Sequence, residues 1–248
     1  MKILSIISIV LSYLAVSTLG VSSVEENEEI TLFRKSGTLA PSTLLAQNTH
    51  AKGLKLKQCN YDKISANSFT SVQTLKKIEI DKSTIGELSQ GAFNGCNNLK
   101  EIIIRNSKID NLNPKAFNNL LNVKKLKIKT TKIGDLKTNM FSGCSNMEEF
   151  VCEECNIENV EQDSMNGLSN LRELDLQKNA IKKFTFANMP VMPNLKKINL
   201  SNNPLTDLDV TDIKTKCPSL ESIKLKGVNL AQPVKQQLET FKIKIKKN

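Results

Sequence analysis

Residues 99–122 read LKEIIIRNSKIDNLNPKAFNNLLN. Leu99, Ile102 and Ile104 occupy positions 1, 4 and 6 of this stretch, Ser107 position 9, Ile109 position 11, Leu112 position 14 and Phe117 position 19. The preceding 24 residues, LKKIEIDKSTIGELSQGAFNGCNN from Leu75, align with it without a gap. So do the segments opening at Ala51, Val123, Met147, Leu171 and Leu195, until near residue 215, where the last carries one extra residue. The common pattern is LxxLxLxxNxLxxLxxxxFxxLxx, and self-similarity at a fixed period is the signature of a stacked-repeat architecture.

Apolar side chains at positions 4 and 6 around a polar one predict a short strand with one buried face. Positions 9, 11 and 14 turn the chain, and position 19 supplies a large plug: Phe69, Phe93, Phe117 and Phe141. One unit cannot bury its apolar face alone, so successive units stack into a parallel sheet over one continuous core. Position 9 favours Asn, whose amide bonds the backbone of adjacent turns. Here it is Cys59, Ser83, Ser107, Thr131, Cys155, Asn179 and Asn203, so the N-terminal part of that ladder is expected to be the weaker.

The pattern resembles the extracellular leucine-rich repeat of the 24-residue kind, as in Toll-type receptor ectodomains and small leucine-rich proteoglycans. The resemblance runs from residue 51 to the end of the chain. It implies an α/β solenoid, a leucine-rich repeat horseshoe with a parallel sheet on its concave face. Caps in that family usually carry clustered cysteines, and none stand at either end here.

The ends divide the chain further. Lys2, the apolar run Ile3–Val16 and the small-residue stretch Ser17–Gly20 read as a signal peptide over residues 1–20. The run is shorter than the roughly 20 residues a membrane span needs, so a secreted, extracellular chain with no membrane span is expected. Residues 21–50 read as an N-terminal cap that fits the repeat partially through Ile30 and Leu32; seven repeats follow over residues 51–219. Residues 220–248 read as an eighth repeat (Leu220, Ile223, Leu225) and a cap strand, with Leu238, Phe241 and Ile243 taking positions 1, 4 and 6. Lysines on that last strand would blunt the exposed sheet edge.

Composition removes several chemistries. The 248 residues contain one histidine, His50, so a multi-histidine metal site is impossible. No paired acid and base stand at fixed spacing and no glycine-rich phosphate loop occurs; no catalytic residue, cofactor or metal is expected. The six cysteines fall on inward positions: Cys96, Cys144 and Cys217 at or beside position 22, Cys152 at position 6, Cys59 and Cys155 at position 9. They are expected chiefly as buried free thiols, Cys152 and Cys155 being the one pair close enough for a disulfide. Asn199-Leu200-Ser201 is a sequon, which makes Asn199 a candidate glycosylation site.

Charge is the remaining lead. Thirty-five Lys and Arg against 25 Asp and Glu leave +10. Positions 2, 3, 5, 7 and 8 face solvent on the sheet of such a solenoid, and over eight repeats they hold 18 basic and 10 acidic residues. Register tempers this excess. Lys124, Lys125 and Lys129 face Glu148, Glu149 and Glu153 one repeat on, and Lys55–Glu79, Lys57–Asp81 and Asp81–Arg105 continue the series. Two groups stay net positive and are the candidate partner-binding residues: Lys100, Arg105, Lys124 and Lys127, and at the C-terminal end Lys224, Lys226, Lys242 and Lys244. The expected partner is an extracellular protein, acidic where it meets these groups, with an anionic glycan as the other option. Nucleic acid is disfavoured because no aromatic side chains interleave to stack bases. A concave face on the order of 40 Å by 20 Å matches the usual area per partner of about 800 Å². The reading is therefore a secreted, non-enzymatic binding protein, in innate immunity or as a soluble Toll-like decoy; the alternative is a structural matrix protein.

Overall fold

The structure, a computed structural model, describes residues 21–25, 28–41 and 50–246; the expected signal peptide lies outside them. In chain order the strands are β1 (Val21–Glu25), β2 (Glu29–Phe33), β3 (Ser36–Leu39), β4 (Gly53–Lys57), β5 (Asn60–Ile64), β6 (Lys77–Asp81), β7 (Thr84–Leu88), β8 (Glu101–Arg105) and β9 (Lys108–Leu112). There follow β10 (Lys125–Lys129), β11 (Glu149–Glu153), β12 (Glu173–Asp175), β13 (Lys183–Thr185), β14 (Lys197–Asn199), β15 (Asp207–Asp209), β16 (Ser222–Lys224) and β17 (Lys244–Lys246). Helix is confined, among the described residues, to α1 (Ile213–Lys216) and α2 (Gln232–Thr240).

The position 3–7 strands build an 11-stranded sheet in the order β1-β2-β4-β6-β8-β10-β11-β12-β14-β16-β17, parallel except for β1. Its register is the 24-residue repeat itself: Ile78 lies opposite Ile102, Ile102 opposite Leu126, Leu126 opposite Phe150. Positions 10–14, which the sequence reads as turns, form a second parallel sheet, β3-β5-β7-β9, because Tyr61, Ile64, Ile85 and Leu88 turn inward there. That sheet stops at the fourth and fifth repeats, where Gly134 and Asn156 adopt left-handed backbone (φ 70° and 58°). One bridge, Leu136 to Val160, remains between them. The Asp135 carboxylate takes over, accepting the N–H groups of Glu158 and Asn159 at 3.1 and 2.8 Å. A pair, β13-β15, resumes beyond.

Between the sheets and the return turns runs one core. The position-19 column fills it along its length: Phe69, Phe93 and Phe117 stack at 5.3 and 5.9 Å between ring centroids, and Phe141, Met165, Met189 and Ile213 continue the column. Two ladders tie turn to turn. At position 9, Cys59, Ser83 and Ser107 each donate their N–H to the next side-chain hydroxyl, at 3.1, 3.1 and 3.2 Å. Asn179 does more, accepting from Cys155 and Ile157 N–H while its amide donates to the Cys152 and Leu176 carbonyls. At position 24, Asn98, Asn122, Asn146 and Asn170 each donate to a carbonyl of the preceding repeat. Position 8 is left-handed throughout, from Gln58 and Lys82 through Thr130 to Asn202.

The two ends differ in how they close the stack. The expected N-terminal cap supplies a full parallel strand: β2 pairs with β4, Ile30 and Leu32 opposite Leu54 and Leu56, and β1 closes it antiparallel. At the other end a strand does follow, but helix α2 precedes it, and the register is shifted by four residues. Ile245, rather than Phe241, lies opposite Ile223, and Lys246 lies opposite Lys224. Leu238 and Ile243 are buried nonetheless, from the helix and the turn that follows it.

All six cysteines are buried free thiols. The Cys152–Cys155 bridge is not formed; the Cys155 thiol donates instead to the Ile128 carbonyl at 3.4 Å. Burial pushes the Cys96 and Cys144 thiols up to about 11 and Cys217 to about 12.

Candidate functional site

The outer face of the long sheet carries the candidate residues, because strand alternation that sends positions 4 and 6 into the core turns positions 3, 5 and 7 out. Most of the expected ion pairs form. Lys124 meets Glu148 at 2.7 Å, Lys125 meets Glu149 at 3.7 Å, Lys129 meets Glu153 at 3.2 Å, Lys55 meets Glu79 at 3.3 Å and Arg105 meets Asp81 at 3.5 Å. Lys57–Asp81 does not: Asp81 is occupied by Arg105 and by the Asn106 amide at 3.2 Å.

Position-by-position matching missed the bridging. Three carboxylates of the fifth repeat hold two cations each: Glu148 takes Lys124 and Arg172, Glu149 takes Lys125 and Lys127, and Glu153 takes Lys129 and Lys178. Glu79, 8 % exposed, takes Arg105, Lys55 and Lys77. The Lys127–Glu149 contact at 3.0 Å is diagonal, two positions from Lys127's own register partner Val151, a span long side chains reach. Electrostatics follow. Burial alone would raise the Glu79 carboxyl, but bonds from Arg105 and Lys55 and their charges outweigh it and hold it below the ordinary glutamate range. Glu153 behaves likewise, burial being overcome by Lys178 and Lys129, and the Lys124 bond lowers Glu148.

The first candidate group is therefore largely engaged. Arg105, Lys124 and Lys127 all hold carboxylates, and Lys100 alone has no ion pair among the described residues. Between these charges the sheet shows Ile103, half-buried, and Val151, 6 % exposed. Further along, Asp175 accepts the Gln177 N–H and the Asn199 amide; burial raises its carboxyl beyond what those bonds lower. Asn199 itself is 8 % exposed, with Nδ2 bound to Asp175 at 3.1 Å and Oδ1 to the Ser201 N–H.

The second group is different. Lys224, Lys226, Lys242 and Lys244 are exposed and none has an ion pair among the described residues; Glu221 is taken by Lys196 at 3.4 Å. The shifted register moves Lys242 to the turn after α2, with φ 57°, and brings Lys246 beside Lys224. The alternating Lys and Ile residues of the last strand fit either register. His50 is exposed. Among the described residues no group of three His, Cys, Asp or Glu is placed to hold a metal, and no helix is long and apolar enough to cross a membrane.

Stacked parallel strands in a fixed 24-residue register, with an inward apolar face and Asn-bearing turns, define a leucine-rich repeat solenoid. More narrowly, the chain belongs to the BspA type leucine rich repeat family, whose region matches in six copies over residues 62–192 and 136–236. No curated protein matches. Among solved structures it is similar to human trophoblast glycoprotein (Wnt-activated inhibitory factor 1) at 16% identity and TM-score 0.61, covering 82% of this chain and 78% of that one. It is also similar to the Drosophila Toll–Spatzle complex at 16% identity and TM-score 0.65, covering 82% of this chain and 27% of that one. A leucine-rich repeat protein of Leptospira interrogans matches at 16% identity and TM-score 0.56, over 88% of this chain and 59% of that one. At these identities the likeness is one of fold.

Proposed function

We propose that the protein is a secreted, non-enzymatic binding protein that takes a protein ligand on the concave sheet, in innate immunity or as a soluble decoy of a Toll-type receptor. The observation that carries the binding role is the sheet itself. Its central side chains, Arg105, Lys124, Lys125, Lys127 and Lys129, are held in place by shared carboxylates around Ile103 and Val151. Charged side chains already ordered lose less freedom when a partner arrives, so such a surface binds more tightly than a loose one of equal area. Secretion is supported by the leader read at residues 1–20. The immune role is supported by fold likeness to Toll alone and carries the least weight. The non-enzymatic reading is supported by the sequence, which holds a single histidine and no glycine-rich phosphate loop.

The test is affinity capture from extracellular fluid with the mature chain. A protein ligand retained by wild type should be lost with Ile103→Arg and Val151→Arg, and kept with Leu121→Arg and Val191→Arg, whose side chains lie exposed outside the sheet. Capture insensitive to the first pair would overturn the concave-face reading. Recovery of fibrous matrix proteins alone would replace the immune role with a structural one.

A further inference from the structure

We infer that Lys224, Lys226, Lys244 and Lys246, at the C-terminal end of the sheet, form a second site that binds a linear sulfated polysaccharide. The inference rests on the reading of the chain as extracellular, and is independent of the protein ligand proposed for the central strands.

Three observations carry it. First, these lysines share one outward face: Lys224 and Lys226 are two residues apart on and just beyond β16, and β17 places Lys246 opposite Lys224 and Lys244 opposite Ser222. Strand geometry sets them on a grid of roughly 5 by 7 Å. Second, they have no ion pair among the described residues, whereas the central sheet meets its cations with Glu79, Glu148, Glu149 and Glu153. Like charges do meet elsewhere, at Arg105 and Lys129, but each of those holds a carboxylate. Lys224 and Lys246 are juxtaposed with none, an arrangement that costs stability unless an anion lies between them. Third, these lysines lie outside the 390 Å³ cavity, which is lined by Asn159, Lys183, Thr185, Asp209 and neighbours.

The chemistry of the partner follows. Protein interfaces draw their energy from buried aromatic and Arg anchors, and this face has neither. The patch also lacks the arginine fork that grips carboxylate bidentately and the aromatic side chains that stack bases. What it offers is closely spaced ammonium point charges in a row open at the β17 edge, where no further strand pairs among the described residues. A polymer with fixed sulfates every few ångströms satisfies such a row by counterion release, without a pocket.

The experiment is binding of the mature chain to immobilised heparin through a salt gradient, against three competitors: polyglutamate, duplex DNA and vesicles rich in phosphatidylserine. Wild type should elute well above physiological salt and be displaced by free heparin alone. Replacing the four lysines by Ser should weaken heparin binding by at least about 100-fold near physiological salt and flatten its salt dependence. A control variant losing Lys115, Lys182, Lys214 and Lys235, of equal net charge, should match wild type. The single variant Lys246→Ser relieves the Lys224 repulsion, so it should lose heparin affinity while melting no earlier than wild type, which separates binding from folding. Equal loss in both quadruple variants would reduce the effect to net charge and overturn the site. Equal displacement by any of the three competitors would overturn the ligand class. Neither outcome bears on protein capture by the central strands.

Discussion

Thr130 is the least suited residue in its column. Position 8 is left-handed in every repeat, and at φ 47° Thr130 is the β-branched side chain in a conformation that costs an ordinary L-residue roughly 1–2 kcal/mol. Its hydroxyl gains one exposed bond, to Glu154 at 3.2 Å, too weak to offset that. Thr130→Asn should therefore raise stability by about 0.5–1 kcal/mol, read as a higher urea midpoint; a lower midpoint would contradict the strain. The sequon is the second case. A glycan must attach to Asn199 Nδ2, which is buried and bound to Asp175, so mass spectrometry of the chain secreted from a glycosylating host should find the Asn199 peptide unmodified. The motif alone could not reveal this, because accessibility depends on the neighbouring strand that supplies Asp175.

Among elements, the ladders make the sharpest prediction. Asn179 serves two N–H groups and the Cys152 carbonyl of the preceding turn together with the Leu176 carbonyl of its own, whereas Ser83 accepts one N–H and donates one proton. Buried groups left unpaired cost about 1–3 kcal/mol together with relaxation, so Asn179→Ala should cost about 2–4 kcal/mol and Ser83→Ala about 1 kcal/mol, by thermal melting. Equal losses would mean that the ladder does not carry turn-to-turn stability. The strands at positions 3–7 and the phenylalanine column were legible in the sequence because their apolar spacing is strict. The second sheet was not: only positions 11 and 14 turn inward there, a pattern equally expected of a turn. The register of β17 was hidden for a plainer reason. In Phe241-Lys242-Ile243-Lys244-Ile245-Lys246 a slip of two or four residues keeps every Ile and Lys on the same face, so the choice falls to α2, which buries Leu238 and delays the strand by four residues. The diagonal Lys127–Glu149 pair is not legible from equal repeat positions, because the lysine side chain reaches two positions along the neighbouring strand.

Across the molecule, charge behaves as a network rather than a total. Glu79, Glu148 and Glu153 titrate below their ordinary range when folded, so their stabilisation is present above the unfolded-state value and is lost as pH falls through the folded ones. Asp175 has the opposite sign: raised by burial, it favours the folded state in acid and loses that contribution as pH rises. One such group opposes several lowered ones, so the melting temperature should fall between about pH 5 and pH 3, with Glu79→Gln flattening the curve. A melting temperature that rises on acidification would refute the bridged-carboxylate account. The +10 that suggests a generally basic protein in composition is, in the fold, a paired centre and an unpaired C-terminal row.

The central claim is that the concave sheet meets the ligand. Covalent lysine footprinting of the captured complex tests it most directly. Lys125, Lys127 and Lys129 should lose reactivity on binding, while Lys115, Lys182 and Lys214, outside the sheet, keep theirs. Protection of the second set with the first unchanged would contradict the account.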